Sequence, residues 1–167
     1  VAVGDFTSWN GLSRNRLVRL KLDGSLDSAF SIGTGANNSI RAVAIHPTGD
    51  NNASKVVIGG DFTSYNGQTI GRIARVNNDG SRDTGFNPGS GANGTVRGVA
   101  IHPVGDANAG KVVLVGDFTQ INGFSRNGVA RLNADGSVDT SFDPGTGILG
   151  GSAVRAVAIY PTTDPNG

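Results

Sequence analysis

One set of landmarks recurs along this 167-residue chain at a fixed spacing. Gly-Asp-Phe-Thr stands at Gly4–Thr7, Gly60–Thr63 and Gly116–Thr119, with Asn-Gly following at Asn10, Asn66 and Asn122. An Arg among apolar neighbours recurs at Arg19, Arg75 and Arg131. Asp-Gly-Ser recurs from Asp23, Asp79 and Asp135, a second Asp at Asp27, Asp83 and Asp139, and a closing Phe at Phe30, Phe86 and Phe142. All these landmarks are 56 residues apart. Arg-Ala/Gly-Val-Ala-Ile follows at Arg41, Arg97 and Arg155, and a Pro ends each run at Pro47, Pro103 and Pro161. The last Arg interval is 58, which puts two extra residues in the loop 148–153. A period of this length means one supersecondary unit stacked on copies of itself. The chain therefore reads as one repeat array over 1–167, with units at about 1–56, 57–112 and 113–167.

The residue types say that the unit is all-β. All 13 acidic residues are Asp, Met is absent, and 27 residues are Gly. Two good helix formers, Glu and Met, are absent and Lys occurs only three times, while turn formers are abundant. Each unit carries three clear strand signals and a weaker fourth. These are Arg41–His46, Val56–Phe62 (apolar on both faces), Arg72–Asn77, and the shorter, more polar Ser81–Phe86, which suits an outer edge. Turn chemistry joins them: Pro-x-Gly-Asp, Asn-Gly and Asp-Gly-Ser. Four antiparallel strands per unit, with small residues innermost, describe a β-propeller blade.

The pattern Val56-Val57-Ile58-Gly59-Gly60-Asp61-Phe62-Thr63-x-x-Asn66-Gly67, continued by Arg72-Ile73-Ala74-Arg75-x-Asn77-x-Asp79-Gly80-Ser81-x-Asp83-Thr84-x-Phe86 and Pro88-Gly89-x-Gly91-Ala92-Asn93-Gly94, resembles the delta-60 repeat of bacterial proteins. The resemblance covers the whole chain. It implies β-propeller blades, usually within large secreted or surface-displayed proteins, with no defined activity. One departure is the loop before the Gly-Gly strand, which is several residues longer at His46–Lys55 and His102–Lys111. Insertions on one face of a repeat array are where binding surfaces tend to lie.

Propellers usually close with about four to eight blades, so three periods do not make a ring. The chain starts within a second strand (Val1–Phe6) and ends just after a first strand (Arg155–Ile159), so one blade is divided between its two ends. We expect a piece of a longer protein. The expected partners are further repeats of the same chain, a second copy completing a ring, or head-to-tail copies in an open fibre.

The charge balance is +1, with 14 cations and 13 acids dispersed, which leaves no basic footprint for nucleic acid. No apolar run approaches the roughly 20 residues that cross a bilayer. With no Cys, disulfides and thiolate zinc sites are excluded.

Little here suggests catalysis, and the chain reads as no enzyme. His46 and His102 share a position that Tyr160 takes in the third unit, which fits a strand end better than a general base. No Ser-His-Asp set stands out. The stretch Gly89–Gly94 lacks the Lys and helix of a phosphate loop. Asp79, Ser81 and Asp83, and again Asp135, Ser137 and Asp139, alternate oxygen side chains after Asn77 and Asn133, as a calcium loop does. Lys21 at the leading position of the first copy opposes a cation, and Asp-Gly-Ser is equally a turn; calcium is the one cofactor to consider, and otherwise none is expected. Arg19, Arg75 and Arg131 each need a buried partner. Asp5, Asp61 and Asp117, or Asp27, Asp83 and Asp139, recur in step and are the candidates for a structural Arg–Asp pair. Trp9 and Tyr65 precede Asn-Gly and are candidate binding-loop aromatics, although Ile121 in the third copy favours local packing. The triplets from Asn37, Asn52 and Asn93 match the glycosylation pattern, as chance allows in an Asn-rich chain.

The expected function is a non-catalytic, extracellular structural module of a bacterial surface or filament-forming protein. The alternative is a propeller that recognises a glycan or a surface protein.

Overall fold

The computed structural model describes residues 1–148 and 153–160. Pro161 and most of the extended loop 148–153 lie outside the described residues. The described chain is all-β. The first unit supplies β1 (Ala2–Val3), the hairpin β2 (Ser8–Trp9) and β3 (Leu12–Ser13), and β4 (Leu17–Val18). Counted by blade, with each inner strand taken from the end of the preceding sequence unit, the second supplies β5 (Ile40–Ile45), β6 (Val56–Gly60), the hairpin β7 (Ser64–Tyr65) and β8 (Gln68–Thr69), and β9 (Ile73–Val76). The third supplies β10 (Val96–Ile101), β11 (Val112–Gly116), the hairpin β12 (Gln120–Ile121) and β13 (Phe124–Ser125), and β14 (Val129–Leu132).

Two full antiparallel sheets result, in the order β5-β6-β9 and β10-β11-β14, beside the shorter pair β1-β4. The small hairpins interrupt each blade at Asn-Gly. Asn66 and Gly67 both have positive φ (47° and 75°), the geometry that joins two strands through a two-residue loop. The fourth strand expected over Ser81–Phe86 is reduced to a single bridge, Val76↔Arg82, repeated at Leu20↔Leu26 and Leu132↔Val138. The backbone turns at Asp83, where Phe86 N donates to Asp83 O and Gly85 N to the Asp83 carboxylate, so the ladder stops after one pair. No strand is assigned over Arg155–Ile159 either. That segment lies beside β10 and β11, with Val154 donating weakly to Gly116 O at 3.5 Å, but no second strand is paired to it.

The core lies between blades rather than within one. Residues on a strand alternate faces. Val56, Ile58, Ala74 and Val76 join Leu17, Phe30, Ile32, Phe62 and Tyr65 in a cluster between the first and second units. Val57 and Ile73 face the other way and join Phe86, Val96, Val112, Leu114, Phe118 and Leu132 between the second and third. This sandwiching is why the Val56–Gly60 strand is apolar on both faces, with every residue buried. Packing between blades is matched in size. A Cβ at Gly59 would strike Val96 of the next blade, and within the third blade a Cβ at Gly98 would lie 2.6 Å from Val115 Cγ2, its cross-strand partner.

The outer faces of the array are different. β9 is buried at all four positions, but β14 alternates, with Val129 and Arg131 half-exposed. Among the described residues, the face of the third unit turned away from the second carries no full blade. No helix among the described residues is long and apolar enough to cross a membrane.

Candidate functional site: a repeated clamp between blades

The interior Arg makes the same two contacts in every unit, and in the first two units a third. Arg75 Nε donates to Asp83 Oδ2 at 2.6 Å, and Arg19 and Arg131 do so to Asp27 and Asp139 at 2.8 and 2.7 Å. The guanidinium lies over the closing Phe: Arg19 on Phe30, Arg75 on Phe86 and Arg131 on Phe142, at 4.6–4.9 Å. The remaining fork nitrogen reaches the next unit. Arg19 Nη1 donates to Asn78 O at 2.7 Å and Arg75 Nη1 to Ala134 O at 2.6 Å. Only a planar fork can stack, pair with a carboxylate and cap a neighbouring turn at once. The next unit's turn is held by its backbone as well: Ser31 N donates to Asp79 O and Asn87 N to Asp135 O, both at 2.7 Å.

Of the two Asp sets considered for these arginines, the structure places Asp27, Asp83 and Asp139 against them. Asp61 and Asp117 pair instead with Arg41 and Arg97, at 2.6 Å. Asp5 is exposed and has no ion pair among the described residues. A β-bulge at Arg41, between Ile40 and Ala42, turns that side chain toward Asp61, and the same bulge recurs at Arg97. Sequence reasoning missed this second set, although Arg41 and Asp61 recur with the same period. It also missed Lys55 and Lys111, which donate to Asp83 and Asp139 at 2.9 and 2.8 Å from the ends of the long loops. Lys55 and Lys111 lie one repeat apart, so the period did carry a signal for them.

Burial pushes the Asp83 carboxyl up, but the bonds from Lys55, Arg75 and the Gly85 N–H outweigh it and hold the group below the usual carboxylate range. Asp139 is likewise held well below that range, its burial offset by Lys111, Ser141 and Arg131.

The calcium candidates are engaged as acceptors of protein hydrogen bonds. Asp79 Oδ1 accepts from the Ser81 N–H and hydroxyl, and Asp135 Oδ1 from those of Ser137. Asp83 and Asp139 serve the clamps. Among the described residues, no group of three or more His, Asp or Glu side chains is placed to hold a metal. Tyr65 is not a loop aromatic open to ligand. It is fully buried and donates to Gly80 O at 2.8 Å, with its phenol pushed up by burial. Ile121 is buried in the same place, whereas Trp9 is half-exposed and packs edge-on against Phe6 at 5.8 Å.

The long loops form a second feature. Between 47–54 and 103–110 lies a cavity of about 200 Å³, lined by Asp50, Asn51, Asn52, Val104, Gly110 and Ala134, among others. His46 Nδ1 bonds Asp50 Oδ2 at 3.0 Å and His102 Nδ1 bonds Asp106 Oδ2 at 2.9 Å, bracing each loop from below. His46 is buried and its Nε2 has no partner among the described residues. Burial holds its pKa below the ordinary value despite Asp50, so the ring is neutral near pH 7.

No curated protein matches this chain in sequence. A family profile described as a β-propeller domain of unknown function, DUF5122, matches three times, at 1–30, 54–86 and 110–142. Each match runs from the Gly-Asp-Phe strand through the interior Arg and the Asp-Gly-Ser turn to the closing Phe, and thus contains one clamp. The matches cover more than half of the chain, which therefore belongs to the DUF5122 β-propeller repeat family.

Proposed function

We propose that this chain is a non-catalytic structural module of a secreted or surface-displayed bacterial protein, which works by stacking on further blades of its own kind. The delta-60 resemblance is the finer family reading and supplies the extracellular setting. One observation carries the proposal: the Arg19 and Arg75 clamps, each of which has a following unit beside it, spend a third contact on that unit's backbone, at Asn78 and Ala134. The repeated polar residues thus serve the joint between blades rather than an open site. Negative-stain electron microscopy of the purified protein tests it. Rings or fibres with a regular blade spacing are expected, and dispersed monomers at high concentration would sink the reading.

The cavity between the two long loops favours a second reading, recognition of a glycan or protein on that face. Its polar side is Asp50, Asn51 and Asn52, and its apolar side is Val104. A glycan array separates the two. A scaffold gives no selective signal, while a selective signal lost in Asn52→Ala supports recognition.

A further inference from the structure

We propose that the leading face of the first unit and the trailing face of the third form a matched head-to-tail interface between two copies of this chain, with Trp9 at its apolar centre. This rests on the structural reading above and names its partner and its register.

Each internal joint shows what such a face requires. At the joint between the second and third units, the Ala134 and Asp135 carbonyls of one blade accept from Arg75 Nη1 and Asn87 N of the blade before. Gly136 is pressed so closely there that a Cβ would sit 2.7 Å from Asn87 N. Ala92 bridges to Ile121, as Ala36 does to Tyr65 in the joint before, and both partners are fully buried.

The two outer faces carry the halves of one more such joint. On the leading face, the positions of Ala134, Asp135 and Gly136 are Leu22, Asp23 and Gly24. Leu22 is fully exposed. Gly24 keeps the same left-handed backbone (φ 81°), yet a Cβ there would meet nothing within 4 Å. Trp9 holds the position of Tyr65 and Ile121 but is only half-buried. On the trailing face, Ile148 holds the position of Ala36 and Ala92 and is 39 % exposed, a large apolar residue where the internal joints have Ala. Arg131 and the Asp143 N–H match the donors Arg75 and Asn87, and neither has its cross-blade acceptor among the described residues.

The inner strands add a charge key. Val154 donates to Gly116 O as Ile40 donates to Gly4 O, so segment 154–158 takes the next inner-strand place. The observed register, Ile40↔Gly60 then Ala42↔Gly59, transfers to Val154↔Gly4 and Ala156↔Val3 of the second copy. That register brings Arg155, the counterpart of Arg41 and Arg97, to Asp5, the counterpart of Asp61 and Asp117. Both are exposed, and neither has an opposite charge in ion-pair range among the described residues.

Sedimentation of the 167-residue chain, read together with its single Trp, tests this. Association should rise with concentration, and emission from Trp9 should shift to the blue in parallel. Arg155→Asp and Asp5→Arg, both at exposed positions, should each weaken association about tenfold or more by setting like charges together. The double variant should recover it, and Ile148→Asp should abolish both signals. If the chain associates but charge reversal and Trp9 emission have no bearing on it, this interface is overturned while the structural reading stands. If the chain stays monomeric with constant emission at all concentrations, both fall.

Discussion

Arg75 of the second repeat donates to the backbone carbonyl of Ala134 in the third, 2.6 Å away and 59 residues along the chain, while holding Asp83 at the same distance. One side chain therefore ties a blade together and ties it to the next. The Arg75 and Asp83 side chains are 4 % and 9 % exposed, so removing either leaves a buried charge unpaired.

Arg75→Ala should accordingly cost about 3–5 kcal/mol, as other buried pairs do when one partner is lost. Arg19→Ala touches a pair with 28 % and 19 % exposure and should cost nearer 1 kcal/mol. Arg75→Lys should not restore the stability, because an ammonium cannot stack on Phe86 and bridge Asp83 to Ala134 together. Chemical denaturation of the three variants checks the order.

Gly80 and Gly24 are equivalent in sequence and in backbone, and differ in what lies against them. Ala at either position carries the strain of a left-handed residue, about 1–2 kcal/mol. At Gly80 the added Cβ would also fall 2.6 Å from Ser31 backbone atoms, which cannot yield without opening the joint. Gly80→Ala should therefore lower the melting temperature clearly more than Gly24→Ala. Equal losses would show that the joint between the first two units is loose.

Acid should destabilise the protein in two steps. The His46 pKa is held below its ordinary 6.5, so unfolding takes up a proton and stability drains away as pH falls below about 6.5. Asp83 and Asp139 are held below the ordinary 3.8, so their contribution is intact above that value and is lost as pH falls through their folded range. Melting curves from pH 8 to pH 2 should show a shallow decline, then a steeper one below about pH 4. His46→Gln should remove only the shallow one.

Tyr65→Phe should cost about 1–3 kcal/mol, because it leaves the Gly80 carbonyl without its buried donor. The unfolding transition of the variant reads this directly, and an unchanged midpoint would mean that water replaces the hydroxyl.

Calcium at millimolar concentration should leave the melting temperature unmoved. A cation at Asp83 would have to displace both Lys55 and Arg75 from the same carboxylate oxygen. A calcium-dependent rise in melting temperature, abolished in Asp83→Asn, would show that it does.

Much of the architecture was legible because it is periodic. A landmark that recurs every 56 residues marks the unit, and alternation within Val56–Gly60 marks a strand with two buried faces. The Arg at 19, 75 and 131 announced itself the same way, since a cation among apolar residues demands a partner. Periodicity could not choose that partner. Asp61 and Asp83 recur at one spacing, and the choice depends on which way each side chain leaves its strand. A single-residue bulge at Arg41 decided it by drawing Asp61 away. Tyr65 shows the same limit: the drift to Ile121 pointed to local packing over a binding loop, but only the neighbouring blade shows that it is fully buried.

The sequence alone thus determined the repeat, its three main strands and its turns, and the need for paired arginines, because these follow from local preference and from spacing along one chain. The tertiary structure decided which charges meet, which turns are pressed and which stay open, because each joint is built from two units at once. Trp9 is half-bare where Tyr65 and Ile121 are buried, because no blade among the described residues lies against it.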